Sequence, residues 1–135
     1  MNLSREILAV FILVVVLGFI TVILQRRPRT LNVDYFNKRW LELQKLCANK
    51  TTWTLAFIDA DKLLDEALKK SHFKGKTMGE RLVSAQHTIT NNDSVWFGHK
   101  LRNTLVHETD VKLRQKDVRA ALVGFRQALK DLRAL

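Results

Sequence analysis

Apolar residues follow two patterns along this chain. From Ile7 to Leu24 they are nearly continuous, ILAVFILVVVLGFITVIL, 18 residues without a charge, of which 15 are Leu, Ile, Val or Phe. From Asp34 onward they recur every three or four positions with charges between them, which is the period of helices that bury one face. The first pattern predicts a membrane-spanning helix. At 1.5 Å per residue it would be about 27 Å long, close to the hydrocarbon thickness of a bilayer. Its side chains favour insertion by roughly 5–9 kcal/mol. No small-residue cleavage site follows, and the apolar run is too long for a signal peptide. Gln25-Arg26-Arg27-Pro28-Arg29 comes next. The arginines predict, by the positive-inside rule, that everything after them is cytosolic and that residues 1–6 form a short stub on the other side of a plasma or inner membrane.

The second pattern predicts a series of amphipathic helices. After a basic linker over residues 25–33, with Pro28 stopping the membrane helix, a helix is expected from Asp34 to Ala48 with Phe36, Trp40, Leu43 and Cys47 on one face. Another is expected from Thr52 to Ser71, striped by Trp53, Ala56, Phe57, Ala60, Leu63, Leu64, Ala67 and Leu68. Asp59, Asp61 and Asp65 on that helix read as solvated surface rather than a calcium loop. Thr77-Met78-Gly79-Glu80 has the T-x-x-E form of a capping box and predicts a helix running to Thr90 that buries Met78, Leu82, Ala85 and Ile89. A fourth is expected from Val95 to Glu108 after an Asn91–Ser94 turn. A closing helix from Gln115 would bury Val118, Ala121, Leu122, Phe125, Leu129 and Leu132. No strand-like alternation appears after residue 31. The expected fold is all-α: one N-terminal transmembrane helix plus a compact up-and-down bundle of four to five helices over residues 34–135.

Composition agrees with this. Pro28 is the only proline among 135 residues and glycines number five, so turns are few. The lone Cys47 excludes an internal disulfide and a cysteine-based zinc site, and fits a reducing compartment. Net charge is +10. From Leu31 onward 19 Lys/Arg still face 12 Asp/Glu. Such a surplus attracts RNA, DNA or anionic headgroups, and equally keeps a domain soluble beside a negative membrane.

The stretch that carries chemistry is Trp96-Phe97-Gly98-His99-Lys100-Leu101-Arg102-Asn103-Thr104-Leu105-Val106-His107-Glu108. Histidine exchanges protons near neutral pH, and the arginine fork matches phosphate oxygens. Asn103 precedes His107 by one helical turn and shares its face. Arg102 and His107 lie about 140° apart around a straight helix, so a second subunit or an irregular helix would be needed to bring both to one atom. His99 and Lys100 are candidate substrate-binding residues on the same helix. Glu108 either orients His107 or is an ordinary exposed acid. Arg81 and His87, at a looser spacing, read as a decoy. Gly98 inside the helix suggests close approach of another helix, and hence self-association. No metal ligand set and no cofactor-binding pattern is present in the sequence.

Arg102-Asn103-x-x-x-His107 resembles the R-polar-x-x-x-H signature of the HEPN superfamily, and its place late in a helical bundle is similar too. The resemblance implies metal-independent RNA cleavage at a cleft shared by a homodimer, with Arg102, Asn103 and His107 as catalytic residues. It also implies, as an option, pairing with a nucleotidyltransferase-type antitoxin. Many members of that family are non-catalytic, so a membrane-tethered interaction module binding RNA or protein stands beside the nuclease reading.

Overall fold

The computed structural model describes the backbone of residues 3–25 and 30–135. Arg26, Arg27, Pro28 and Arg29, on which the orientation and the end of the membrane helix were expected to depend, lie outside the described residues. Among the described residues six α-helices follow in order: α1 (Leu3–Gln25), α2 (Val33–Leu46), α3 (Trp53–Lys70), α4 (Met78–Ser84), α5 (Asn92–His107) and α6 (Gln115–Asp131). Among the described residues there is no strand. The all-α expectation holds.

Helix α1 contains an apolar stretch, Glu6–Leu24, long enough to cross a membrane, and none of it is buried against the rest of the chain. Within it, Thr21 Oγ1 donates to the Gly18 carbonyl, which satisfies the hydroxyl locally.

The other helices surround α3, which contacts α2, α4, α5 and α6. Asn32 starts α2 by accepting the Tyr35 amide, and Phe36, Trp40 and Leu43 are buried as expected. Asn49 caps a 3-10 turn, Lys50–Thr52, that leads into α3. That helix ends with His72 at φ 63° and the Phe73 amide reaching back to the Leu68 carbonyl, the left-handed cap that glycine usually fills.

Thr77 accepts the Glu80 amide at 3.2 Å and so starts α4, while Glu80 turns its carboxylate to the Lys76 amide at 2.7 Å. Helix α4 stops at Ser84, short of the expected Thr90. Residues 88–90 are Thr-Ile-Thr, β-branched and weak helix formers. The helix is also outcompeted locally. Asn92 Nδ2 donates to the carbonyls of Gln86 and Ile89, and Asp131 takes both the amide and the hydroxyl of Thr90. Ala85 and Ile89 remain buried in the turn that replaces the helix. Helix α5 in turn starts three residues earlier than expected, because Asn91, not a residue nearer Val95, caps it.

Gly98 has an internal explanation. A Cβ there would lie 2.6 Å from Phe125 Cζ and 3.1 Å from Ala121 Cβ. Gly124 answers it from α6, where a Cβ would meet Ser94 Cβ at 2.6 Å. The two glycines let α5 and α6 approach each other closely within one chain, which removes Gly98 as a reason for self-association.

Candidate functional site: a polar ring between α3 and α5

Helix α3 buries a row of residues at four-, three- and four-residue steps: Phe57, Asp61, Leu64 and Leu68. A carboxylate in such a row needs partners, because an unpaired buried charge is strongly disfavoured. Asp61, 3% exposed, finds them on α5. His99 Nδ1–H donates to Asp61 Oδ1 at 2.9 Å. The Nε of Arg102 lies 3.4 Å from Asp61 Oδ2, as an ion pair without hydrogen-bond geometry, leaving that nitrogen buried and unbonded.

Asn103 closes the circuit. Its Oδ1 accepts from Arg102 Nη1 at 3.1 Å, and its Nδ2 faces His99 Nε2 at 3.4 Å. The ring is consistent in one protonation pattern: ionised Asp61 accepts from His99 Nδ1–H, His99 Nε2 accepts from the Asn103 amide, and the Asn103 carbonyl accepts from Arg102. Fixing one His nitrogen on a carboxylate sets the tautomer and the direction of the other. Trp96 packs its ring edge against His99, centroids 6.2 Å apart at 73°.

The ring forms one wall of a cleft of about 450 Å³. Across it stand Asp65, Thr77 and Gly79. Asp65 is held by Arg81, which donates Nε to Oδ1 at 2.7 Å and Nη2 to Oδ2 at 3.0 Å. Arg81 also donates Nη1 to the Gly75 carbonyl at 2.7 Å, and Lys69 adds a second cation on Asp65 at 2.7 Å.

Of the residues expected at a site, the fold thus brings together Arg102, Asn103 and His99. Lys100 is exposed and does not line the cleft. His107 is the last residue of α5 and is exposed. It makes no side-chain hydrogen bond among the described residues. Glu108 follows as the helix cap, its amide on the Thr104 carbonyl, and its carboxylate makes no hydrogen bond to His107 among the described residues. One expectation is corrected: Asp61 is not solvated surface. Arg81, set aside as a decoy for the motif, is a buried structural cation, 6% exposed. Asp61 escaped the sequence reading although its position in the Phe57–Leu68 row was the available signal. Among the described residues no three His, Cys, Asp or Glu side chains are grouped to hold a metal ion.

Chemically, the ring presents an oriented guanidinium to an open cleft. Arg102 spends one Nη1 hydrogen on Asn103, and its Nη2 makes no hydrogen bond among the described residues. Such a fork suits a phosphate or carboxylate. Compared with models of protein families, with characterised proteins and with solved structures, the chain shows no significant match.

Proposed function

We propose that this chain is a membrane-anchored, HEPN-like module that binds RNA phosphodiesters at the α3–α5 cleft and cleaves them as a homodimer. The reading rests chiefly on one observation. Arg102 is aimed at the cleft by Asp61 and Asn103 while its outer nitrogen stays uncommitted. His99, Asn103 and His107 follow at i, i+4 and i+8, so they share one stripe of α5. His107 lies at the solvent end of that stripe, about 7.5 Å of helix rise beyond Arg102.

In this reading Arg102 holds the phosphate and stabilises the charge that grows on its oxygens when a ribose 2′-OH attacks. His107, from the same or a second copy, takes the 2′-OH proton and a proton is returned to the departing 5′-oxygen as the P–O5′ bond breaks, leaving a 2′,3′-cyclic phosphate. Asp61, His99 and Asn103 orient Arg102 and do not touch the reacting atoms. Helix α1 is read as a retained anchor, with the arginines after it keeping the bundle in the cytosol of a plasma or inner membrane.

A second reading is favoured by the closure of the ring. Four side chains partnering one another across α3 and α5 also suit a non-catalytic module whose polar network sets helix register, with RNA or a protein, such as a nucleotidyltransferase-type antitoxin, bound elsewhere. Fluorescent RNA incubated with the full chain in detergent separates the two. Cleavage to 2′,3′-cyclic phosphate ends, lowered about 10²–10⁴-fold by His107→Ala and comparably by Arg102→Ala, with Arg102→Lys recovering only part of it, supports the nuclease. Intact RNA with wild-type protein, with and without added divalent metal, rejects it in favour of the module.

A further inference from the structure

Four cations without an ion-pair partner among the described residues fall on one line of α6. Lys116, Arg119, Val123, Arg126 and Lys130 follow at steps of three, four, three and four, and all five are exposed. They therefore form a single outward stripe. No carboxylate pairs with the four cations among the described residues. The acids of α6 are engaged elsewhere. Asp117 is held by Arg114 at 2.6 Å, and Asp131 faces Thr90 and Gln127.

The stripe borders an apolar groove of about 360 Å³ between α2 and α6. Trp40, Trp53, Val118 and Leu122 line the groove, with Arg119 and Arg126 among the residues around it. Trp53 Nε1 donates to the Cys47 carbonyl, whereas the buried Trp40 Nε1 has no acceptor. Tryptophan next to arginine is the combination that settles at the headgroup level of a bilayer.

The tether supplies the geometry. Only seven residues separate the end of α1 at Gln25 from the start of α2 at Val33. Even fully extended they span about 25 Å. With α1 in a bilayer, the bundle stays at the surface, where attraction by anionic headgroups decays over a Debye length of about 8 Å and favours turning a basic face toward it. We infer that the α6 stripe and its Trp40–Trp53 groove dock the bundle against anionic phospholipid in the membrane that α1 enters. Exposed Val123 in the middle of the stripe favours lipid over a nucleic-acid backbone, which offers it no apolar partner. The inference rests on reading α1 as a membrane anchor.

The test uses the full chain in vesicles of phosphatidylcholine alone or mixed with phosphatidylglycerol. Flotation after alkaline carbonate first establishes the anchor, so failure to insert rejects the anchor reading and docking with it. An environment-sensitive dye is then placed at Val123→Cys, in a Cys47→Ser background, and quenched by headgroup nitroxides. Docking predicts strong quenching only with phosphatidylglycerol, relieved by salt. Because each cation near the surface adds roughly fivefold, Arg119→Glu/Arg126→Glu/Lys130→Glu should shift the docked population by at least 100-fold, with helical circular dichroism unchanged. A dye at exposed Val83→Cys on α4 should ignore lipid composition. Quenching that is absent, independent of phosphatidylglycerol, or equal at Val83 overturns the inference. So does protection of the Val123 dye by single-stranded RNA when phosphatidylglycerol gives none, which would make the stripe a nucleic-acid face.

Discussion

Asp61 and His99, 38 residues apart in the chain, meet across the α3–α5 interface at 2.9 Å, and both are largely shielded from water, with side chains 4% and 12% exposed. Burial makes the pair a structural commitment, because removing one partner strands the other. Asp61→Asn should therefore destabilise the bundle by about 3 kcal/mol, as the Arg102 guanidinium loses the one carboxylate paired with it among the described residues. Urea unfolding followed by helical circular dichroism measures this, with an unchanged m-value expected. A loss below about 0.5 kcal/mol, the scale of ordinary surface substitutions, would mean that the ring does not hold the helices together.

Arg81→Ala should be comparably harmful, by about 3 kcal/mol. The guanidinium bridges α4 to α3 through both Asp65 oxygens and to the turn through the Gly75 carbonyl. Arg81→Lys should recover only part of the loss, since one ammonium cannot reproduce the fork. His87→Ala, at an exposed residue without a side-chain hydrogen bond among the described residues, is the inert control. The same urea titration decides.

These two sites show where the sequence was legible. Apolar periodicity located every bundle helix, and nearly all the expected stripe residues proved buried, because period and burial are two expressions of one geometry. Polar residues inside that pattern were harder to place. Asp61 and Arg81 look like surface charges until a partner 16 or 38 positions away is known. The end of α4 was equally hidden, since it depends on Asp131, 41 residues beyond Thr90. Within the candidate site, the grouping of Arg102 and Asn103 on α5 was readable from spacing, while their orientation by a carboxylate on another helix was not.

Gly98→Ala tests the account of that glycine directly. Helix propensity alone would make alanine better by about 1 kcal/mol. The approach of 2.6 Å to Phe125 Cζ reverses the sign, because overpacking a filled core costs about 1–3 kcal/mol. Net destabilisation is expected, visible as a lower Tm at any protein concentration. If Gly98 instead served a contact between copies, the loss would shrink on dilution of wild type and mutant alike.

Asp131 is partly buried, which pushes its carboxyl pKa up, but the Thr90 amide, the Gln127 amide and the Thr90 hydroxyl all donate to it and outweigh burial, so the folded value lies below the ordinary 3.8. A depressed carboxylate stabilises the fold fully above its unfolded pKa, and that stabilisation is lost as pH falls through the lower folded value. Asp131→Asn keeps the shape of the protonated acid and removes the charge. At neutral pH it should therefore lower stability by about 1 kcal/mol, since the hydrogen bonds are charge-assisted but the carboxylate is partly solvated. Titrating downward, the gap between wild type and Asp131→Asn should stay constant to about pH 5 and then close through the aspartate range. The other carboxylates titrate in both proteins and cancel in the difference, given sites that are far apart. Paired urea titrations across that range measure the gap. A gap that persists unchanged into acid, or that opens there, would show that Asp131 does not hold the Thr90 turn through its charge.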